Sequence, residues 1–274
     1  MCMFSLRVRI SSSVMQKLTM VSAGASGGIG LEIVHLFLEQ GAKVTAQYNS
    51  TSSSIQVLQA NLTSESSVTQ LFTSAIKTFG PVQVVVNNHG VWPKPDESLA
   101  DMPLDRWKRT IDTNLTSTFL VVREYMKNLK KEGITEEQKD KAAFVFITSS
   151  AAKFGEAFHA DYASSKSAFS GLMLSMKNEI VKIAPRGRVN IVSPGWIKTQ
   201  KKAEDFKKDP TVVYPALATM PLKKVGLPYD IATQVVFLSS NKVSGHVTGE
   251  IVTVNGGMEG RLLNSRDDID FERI

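Results

Sequence analysis

Two residues four apart, Tyr162 and Lys166 in Tyr-Ala-Ser-Ser-Lys, are the groups in this chain best suited to proton chemistry. On a helix, side chains at that spacing share a face, with about 5–6 Å between Cβ atoms. An ammonium that close favours the phenolate. It draws the tyrosine pKa down from about 10, toward the range of a working proton donor. Upstream lies Gly24-Ala-Ser-Gly-Gly28-Ile-Gly30, with an apolar run before it and a helical pattern from Ile29 after it. Gly24 permits a tight turn, Gly28 lets phosphate approach the backbone, and Gly30 lets the helix pack close to the sheet. The helix N-terminus then offers free N–H groups and its positive dipole end to a pyrophosphate. The spacing Gly-x-x-x-Gly-x-Gly differs from the commoner Gly-x-Gly-x-x-Gly, and such turns also serve packing alone. A tuned acid and a dinucleotide cradle together point to hydride transfer.

An acid for the ribose 2′-hydroxyl of NAD is expected about 20 residues beyond the glycines. Here the chain reads Gln47-Tyr48-Asn49-Ser50. No carboxylate repels a 2′-phosphate, and Asn49 and Ser50 can donate hydrogen bonds to one, so NADP is expected ahead of NAD. No Arg or Lys stands at this strand end. A neutral end that accepts either cofactor is the alternative. Ser26 and Ile29 in the turn, and Tyr48, complete the expected contacts on this side.

These groups need elements to hold them. Candidate strands are Leu18–Ser22, Lys43–Gln47, Ile55–Leu58, Val82–Val86, Phe144–Thr148, Val189–Val192 and Ile251–Val254. Their near-continuous apolar character suggests burial on both faces, as in a parallel sheet. Candidate helices are Ile29–Gln40, Glu65–Phe79, Leu104–Lys131, Tyr162–Ile183 and Tyr229–Leu238. The alternation predicts an α/β fold with a doubly wound, Rossmann-type sheet. Asn49–Ser54 is too short for a regular crossover helix, and residues 132–141 read as a charged surface insertion.

The bulk numbers agree. With 274 residues, 42% hydrophobic and 21% charged, the chain can bury a full core, and residues 17–260 read as one domain. Residues 261–274 read as a charged tail. Residues 1–16 lack acids and read as a disordered extension, with a weak likeness to an organellar transit peptide. One cysteine, Cys2, excludes a disulfide framework or a cysteine metal cluster and fits a reducing, cytoplasmic setting. No apolar run has the roughly 20 residues needed to cross a bilayer. The +6 charge is spread over the chain, so no nucleic-acid partner is expected. The Lys201–Lys208 cluster reads as a solvated face or as a lure for an anionic ligand.

The chain resembles the short-chain dehydrogenase/reductase family over about Lys17 to Met258. The matching pieces occur in the family's order: Gly24 to Gly30, Asn87-Asn-His-Gly90, Asn114 in Asp-Thr-Asn-Leu, Ser149-Ser150, Tyr162-x-x-x-Lys166, Ser193-Pro-Gly195 followed by Thr199, and Gly249 with Gly256-Gly257. The resemblance implies a seven-stranded parallel sheet in a homo-oligomer, a dimer or tetramer. It places Asn61, Leu62, Asn88, His89 and Gly90 on the adenine and ribose side, and Pro194, Gly195, Ile197 and Thr199 near the nicotinamide. It implies a ketone–alcohol oxidoreductase in which the nicotinamide supplies hydride. Tyr162 would be the acid/base, and Lys166 would hold the nicotinamide ribose. Ser150 would aim the carbonyl, and Asn114 would hold a water leading to Lys166.

Departures from the family pattern bear on these roles. Ala23 replaces a Thr that braces the turn, His89 an Ala, and Asn61 an Asp. The loop before Tyr162 is one residue short. Counting back thirteen gives Ser149, whereas the pattern Ser-Ser-Ala-Ala gives Ser150, the one chosen. Trp92, Phe154, Phe158, His159 and Trp196 would wall a hydrophobic carbonyl compound, with His159 otherwise an exposed loop residue. Lys198–Leu222 would fold over it as a mobile lid. The competing reading is a non-catalytic dinucleotide sensor or scaffold on the same fold.

Overall fold

Seven short strands form one parallel sheet in the computed structural model, which describes residues 18–48 and 56–260. The strands are β1 (Thr19–Ala23), β2 (Lys43–Tyr48), β3 (Gln56–Gln59), β4 (Val84–Asn87), β5 (Ala143–Ile147), β6 (Arg188–Pro194) and β7 (Ile251–Val254). Their order is β3-β2-β1-β4-β5-β6-β7. The chain winds outward from β1 to β3, returns to β4 beside β1, and winds outward the other way. The strand order thus reverses between β1 and β4, where the loops leaving the carboxyl ends of adjacent strands diverge and open a crevice.

Helices cover both faces, and this is why β1, β4, β5 and β6 are buried along their whole length. On one face, α1 (Gly28–Glu39) and α10 (Pro228–Ser239) pack through Ile33, Val34, Phe37, Ile231 and Val235. On the other lie α2 (Glu65–Phe79), α4 (Ser117–Leu129) and α7 (Ala160–Ile180). There Tyr125, Phe144, Phe146 and Phe169 form a chain of rings with centroids 4.4–5.6 Å apart. Truncating any of these phenylalanines to Ala costs about 3–5 kcal/mol. The expectation of strands buried on both faces fails at the sheet edge: β7 is part-exposed along its length, because an edge strand has a neighbour on one side only. Ile55 and Asn49–Ser54 lie outside the described residues, as do 1–17 and 261–274.

Three local departures matter. The expected single helix Leu104–Lys131 is α3 (Leu104–Ile111), a π-helical turn (Asp112–Thr116) and α4. The wide turn swings Asn114 inward, where it is fully buried. The charged insertion contains α5 (Glu136–Lys139), nucleated by a reciprocal Thr135–Gln138 cap. Arg188 is buried without a carboxylate. Its guanidinium donates to the carbonyls of Leu238 and Ser239 at the C-terminus of α10, where orphan acceptors gather.

Candidate active site

The glycine turn after β1 is built to be bare. Gly24 has φ of +75°, and a Cβ there would lie 3.0 Å from His89 backbone atoms. A Cβ on Gly30 would lie 2.2 Å from the Gly24 carbonyl. A Cβ on Gly28 would lie 2.9 Å from Cβ of Thr199, so the segment after β6 rests directly on the first turn of α1. That first turn has no capping side chain and no acidic residue. Backbone donors, a positive helix end and the lack of a competing carboxylate fit a pyrophosphate. Ile29 packs against the core that α1 shares with the sheet.

Beside the turn lies a cavity of about 430 Å³ lined by Gly24, Ser26, Gln47, Ala60, Asn61, Leu62 and His89. The structure therefore brings Gly24, Ser26, Asn61 and Leu62 together. Asn61 accepts from the amide and hydroxyl of Thr63, at 3.1 and 2.8 Å. Asn88 donates to the Gly24 carbonyl at 3.0 Å. Asn49 and Ser50 lie outside the described residues, and Tyr48 is placed only as the last residue of β2. The NADP-over-NAD expectation therefore falls outside the described residues.

The turn is braced by a residue that the sequence reading used only as a strand-end marker. Gln47 is buried; its Oε1 accepts from the Gly24 amide at 2.8 Å, and its Nε2 donates to the Ala60 carbonyl at 2.9 Å. Its own carbonyl accepts from Ala25 at 2.9 Å. The brace lost with Thr at position 23 is thus supplied from β2.

Lys166 is 4% exposed. Its Nζ donates to the carbonyls of Ile147 at 3.1 Å and His89 at 3.3 Å, and lies over the Phe169 ring. Burial lowers its pKa to about 8. A Cβ on Gly90 would sit 2.9 Å from this nitrogen, so only glycine lets the ammonium lie there undisturbed. The His89 imidazole is itself pushed down, first by burial and then by the Lys166 charge. Asn114 is fixed by three hydrogen bonds. Its amide donates to the Val91 carbonyl at 3.1 Å and to Ser165 Oγ at 3.0 Å, and its Oδ1 accepts from the Val91 amide at 2.8 Å. The carboxamide thereby ties the loop after β4 to α7.

The two serines separate. Ser150 is 1% exposed, with its amide on the Pro194 carbonyl at 2.7 Å. Ser149 is half-buried, and its Oγ accepts from the Ala151 amide at 3.2 Å. Solvent therefore reaches Ser149 more readily than Ser150.

Trp92 lies edge-on to Tyr162, centroids 4.8 Å apart, and against His159 at 4.0 Å. His159 is a correction: it is 2% exposed, not an exposed loop residue. Its ring nitrogens meet the carbonyls of Pro93 at 3.1 Å and Ala157 at 3.4 Å, so it backs Trp92 rather than facing outward. Phe158 is exposed, with φ of +65°. Phe154 and Trp196 pack in a separate cluster with Ala216, Leu217, Met220 and Met258. The segment expected as a lid supplies three of these. It folds as α8 (Gln200–Lys208), a 3-10 turn (Pro210–Val213) and α9 (Tyr214–Leu217). Ile197 is buried and bridged to Gly226, which fixes where Thr199 lands on Gly28. Gly195 is held by its amide on the Val254 carbonyl.

A family model described as enoyl-(acyl carrier protein) reductase matches residues 24–259. The chain belongs to the short-chain dehydrogenase/reductase family. It is 32% identical to a 3-oxoacyl-[acyl-carrier-protein] reductase of Vibrio cholerae, covering 86% of this chain and 94% of that one. A reductase of the same name from Synechocystis is 29% identical over the same shares. A solved short-chain dehydrogenase/reductase from Brucella melitensis, titled glucose/ribitol dehydrogenase, is 28% identical. It superposes with a TM-score of 0.76 over 89% of this chain and 97% of its own. As a family member the chain is an oxidoreductase of CH–OH and carbonyl groups on a Rossmann-type sheet. Among the described residues no helix is long and apolar enough to cross a membrane.

Beneath Tyr162 lies a buried ion pair, Arg106–Asp161, with Nε to Oδ2 at 3.2 Å. Burial raises the Asp161 pKa, but hydrogen bonds from Thr110, Arg106 and the Tyr162 amide outweigh it and hold the carboxyl below its ordinary range. Fifty-five residues separate the partners, and no spacing signal in the sequence joins them.

Proposed function

We propose that this chain is an NADP(H)-dependent ketoreductase that interconverts a hydrophobic ketone and its secondary alcohol, with Tyr162 as general acid and base. One observation carries the reading: the desolvated Lys166 ammonium lies one helical turn from Tyr162 and donates to the carbonyl of His89, whose backbone abuts Gly24 of the bare glycine turn. A bound reduced nicotinamide supplies the hydride. Gly24, Gly28, Gly30 and Thr199 would hold the pyrophosphate. Gln47, Asn61 and Leu62 shape the adenosine side. Lys166 would grip the nicotinamide ribose and favour the ionised form of Tyr162 as the phenol gives its proton to the substrate oxygen. The hydroxyl that aims the carbonyl comes from the serine pair, Ser150 by sequence pattern and Ser149 by solvent access.

Trp92 at the Tyr162 ring supports an apolar substrate, and Phe154, Trp196 and the Lys198–Leu222 segment would close over it. The relatives' names point to a 3-oxoacyl thioester within that class, and the matched model's name adds enoyl thioesters as the second reading. Exposed Phe119 on α4 and Leu174 on α7 support a homo-oligomer. The test is nicotinamide absorbance with NADPH or NADH against ketones, a 3-oxoacyl thioester and a 2-enoyl thioester. Tyr162→Phe should abolish turnover while NADPH binding persists. Retained turnover in that variant removes Tyr162 from the mechanism. Loss in only one of Ser149→Ala and Ser150→Ala assigns the aiming hydroxyl.

A further inference from the structure

We propose that Arg106 and Asp161 are positioning residues, a buried ion pair that seats Tyr162 at the start of α7 and fastens the two neighbouring loops to it. The inference rests on the reductase reading, which gives Tyr162 its task. Asp161 is wholly buried and directly precedes Tyr162. Its Oδ1 accepts the Tyr162 amide at 2.9 Å. Its Oδ2 accepts Arg106 Nε at 3.2 Å and Thr110 Oγ1 at 2.8 Å, which joins α7 to α3. The guanidinium's other nitrogens donate to the carbonyls of Pro95, in the loop after β4, and Phe158, in the short loop that leads into α7, the latter at 3.3 Å. The Phe158 carbonyl also accepts the Glu97 amide at 3.1 Å, and Phe158 is held at a φ that favours glycine.

Two helices and two loops therefore meet at one cation. Trp92 lies between Tyr162 and His159 within this clamp, and His159 reaches back to Pro93. Burying two charges is costly, and apolar side chains of equal volume hold helices together as well or better. A guanidinium fork is directional where apolar packing is not. Its consequence here is geometric: it sets the height of Tyr162 on α7 against Trp92. Displacing a reacting group by about 1 Å costs on the order of 100-fold in rate.

The test is Arg106→Met combined with Asp161→Leu, which removes both charges and keeps the volume. We expect a melting temperature within a few degrees of wild type and unchanged NADPH affinity by nicotinamide fluorescence. Hydrogen exchange should quicken in peptides spanning 88–100 and 155–163, but not in the sheet or in 165–180. With the ketone substrate, kcat should fall at least about 10-fold, and Arg106→Lys, which keeps the charge but not the fork, should recover part of it. Wild-type kcat with unchanged exchange overturns the proposal. So does a uniform loss of melting temperature, cofactor binding and protection, the mark of a purely structural pair. If the double variant does not fold, Thr110→Val, which removes one bond to Asp161 and bares no charge, carries the same readouts on a smaller scale. If wild type reduces no carbonyl, loosened loops in the variant still sustain the clamp, and it is the reductase reading that falls.

Discussion

Lys166 gives a prediction whose size follows from its surroundings. Burial lowers its pKa from 10.5 to about 8. Each unit is worth about 1.4 kcal/mol, so the fold carries roughly 3 kcal/mol of cost for keeping this ammonium charged. Between pH 8 and 10.5 the unfolded chain holds the proton and the native state has released it. The unfolded state then binds more protons, so this residue's contribution makes stability rise with pH in that window. Below pH 8 both states are protonated and the contribution is level. Lys166→Met abolishes the titration and leaves the other groups as they were. The assay is urea unfolding of wild type and variant at pH 7, 8, 9 and 10. The difference in unfolding free energy, wild type minus variant, should be flat to pH 8 and then climb by roughly 2–3 kcal/mol by pH 10. A flat or falling difference refutes the burial argument. The same release bears on turnover: cofactor affinity should weaken above about pH 8 as the ammonium is lost.

Three further predictions follow from single contacts. Gln47→Leu leaves the Gly24 amide unpartnered, a loss of about 1–3 kcal/mol. NADPH affinity measured by fluorescence titration should therefore drop about 10-fold, and unchanged affinity would show the brace to be idle. Gly90→Ala puts a methyl 2.9 Å from Lys166 Nζ, so kcat/KM should fall at least about 10-fold while the circular dichroism spectrum holds. Arg188→Met strips the carbonyls at the end of α10 of a charged donor and should lower the unfolding free energy by about 3 kcal/mol, read from the urea midpoint.

Much of this site was legible in the sequence because the residues that carry it are local. Glu65–Phe79 and Ile251–Val254 form as read. The helix is bounded by a Ser64 cap and by Gly80 at φ of +85°, and the strand by turn residues. The glycine turn and the Tyr162–Lys166 pair need only one strand and two helices in the expected order. What escaped is what tertiary contact decides. The π-turn at Asp112–Thr116 exists where Asn114 reaches Val91, and no periodicity in Leu104–Lys131 announces it. Gln47 turns inward because the Gly24 amide and the Ala60 carbonyl meet there. His159 is buried because Trp92, distant in sequence, lies against it. The choice between Ser149 and Ser150 depends on how a shortened loop leaves β5, and no strand pattern fixes that.

The most direct measurement is a crystal structure with NADP and a bound ketone or alcohol. The Tyr162 hydroxyl should lie within hydrogen-bond reach, about 2.6–3.2 Å, of the substrate oxygen, with the reacting carbon over the nicotinamide. A hydroxyl turned away from that oxygen, or a cofactor seated elsewhere than on Gly24–Gly30, would contradict the account.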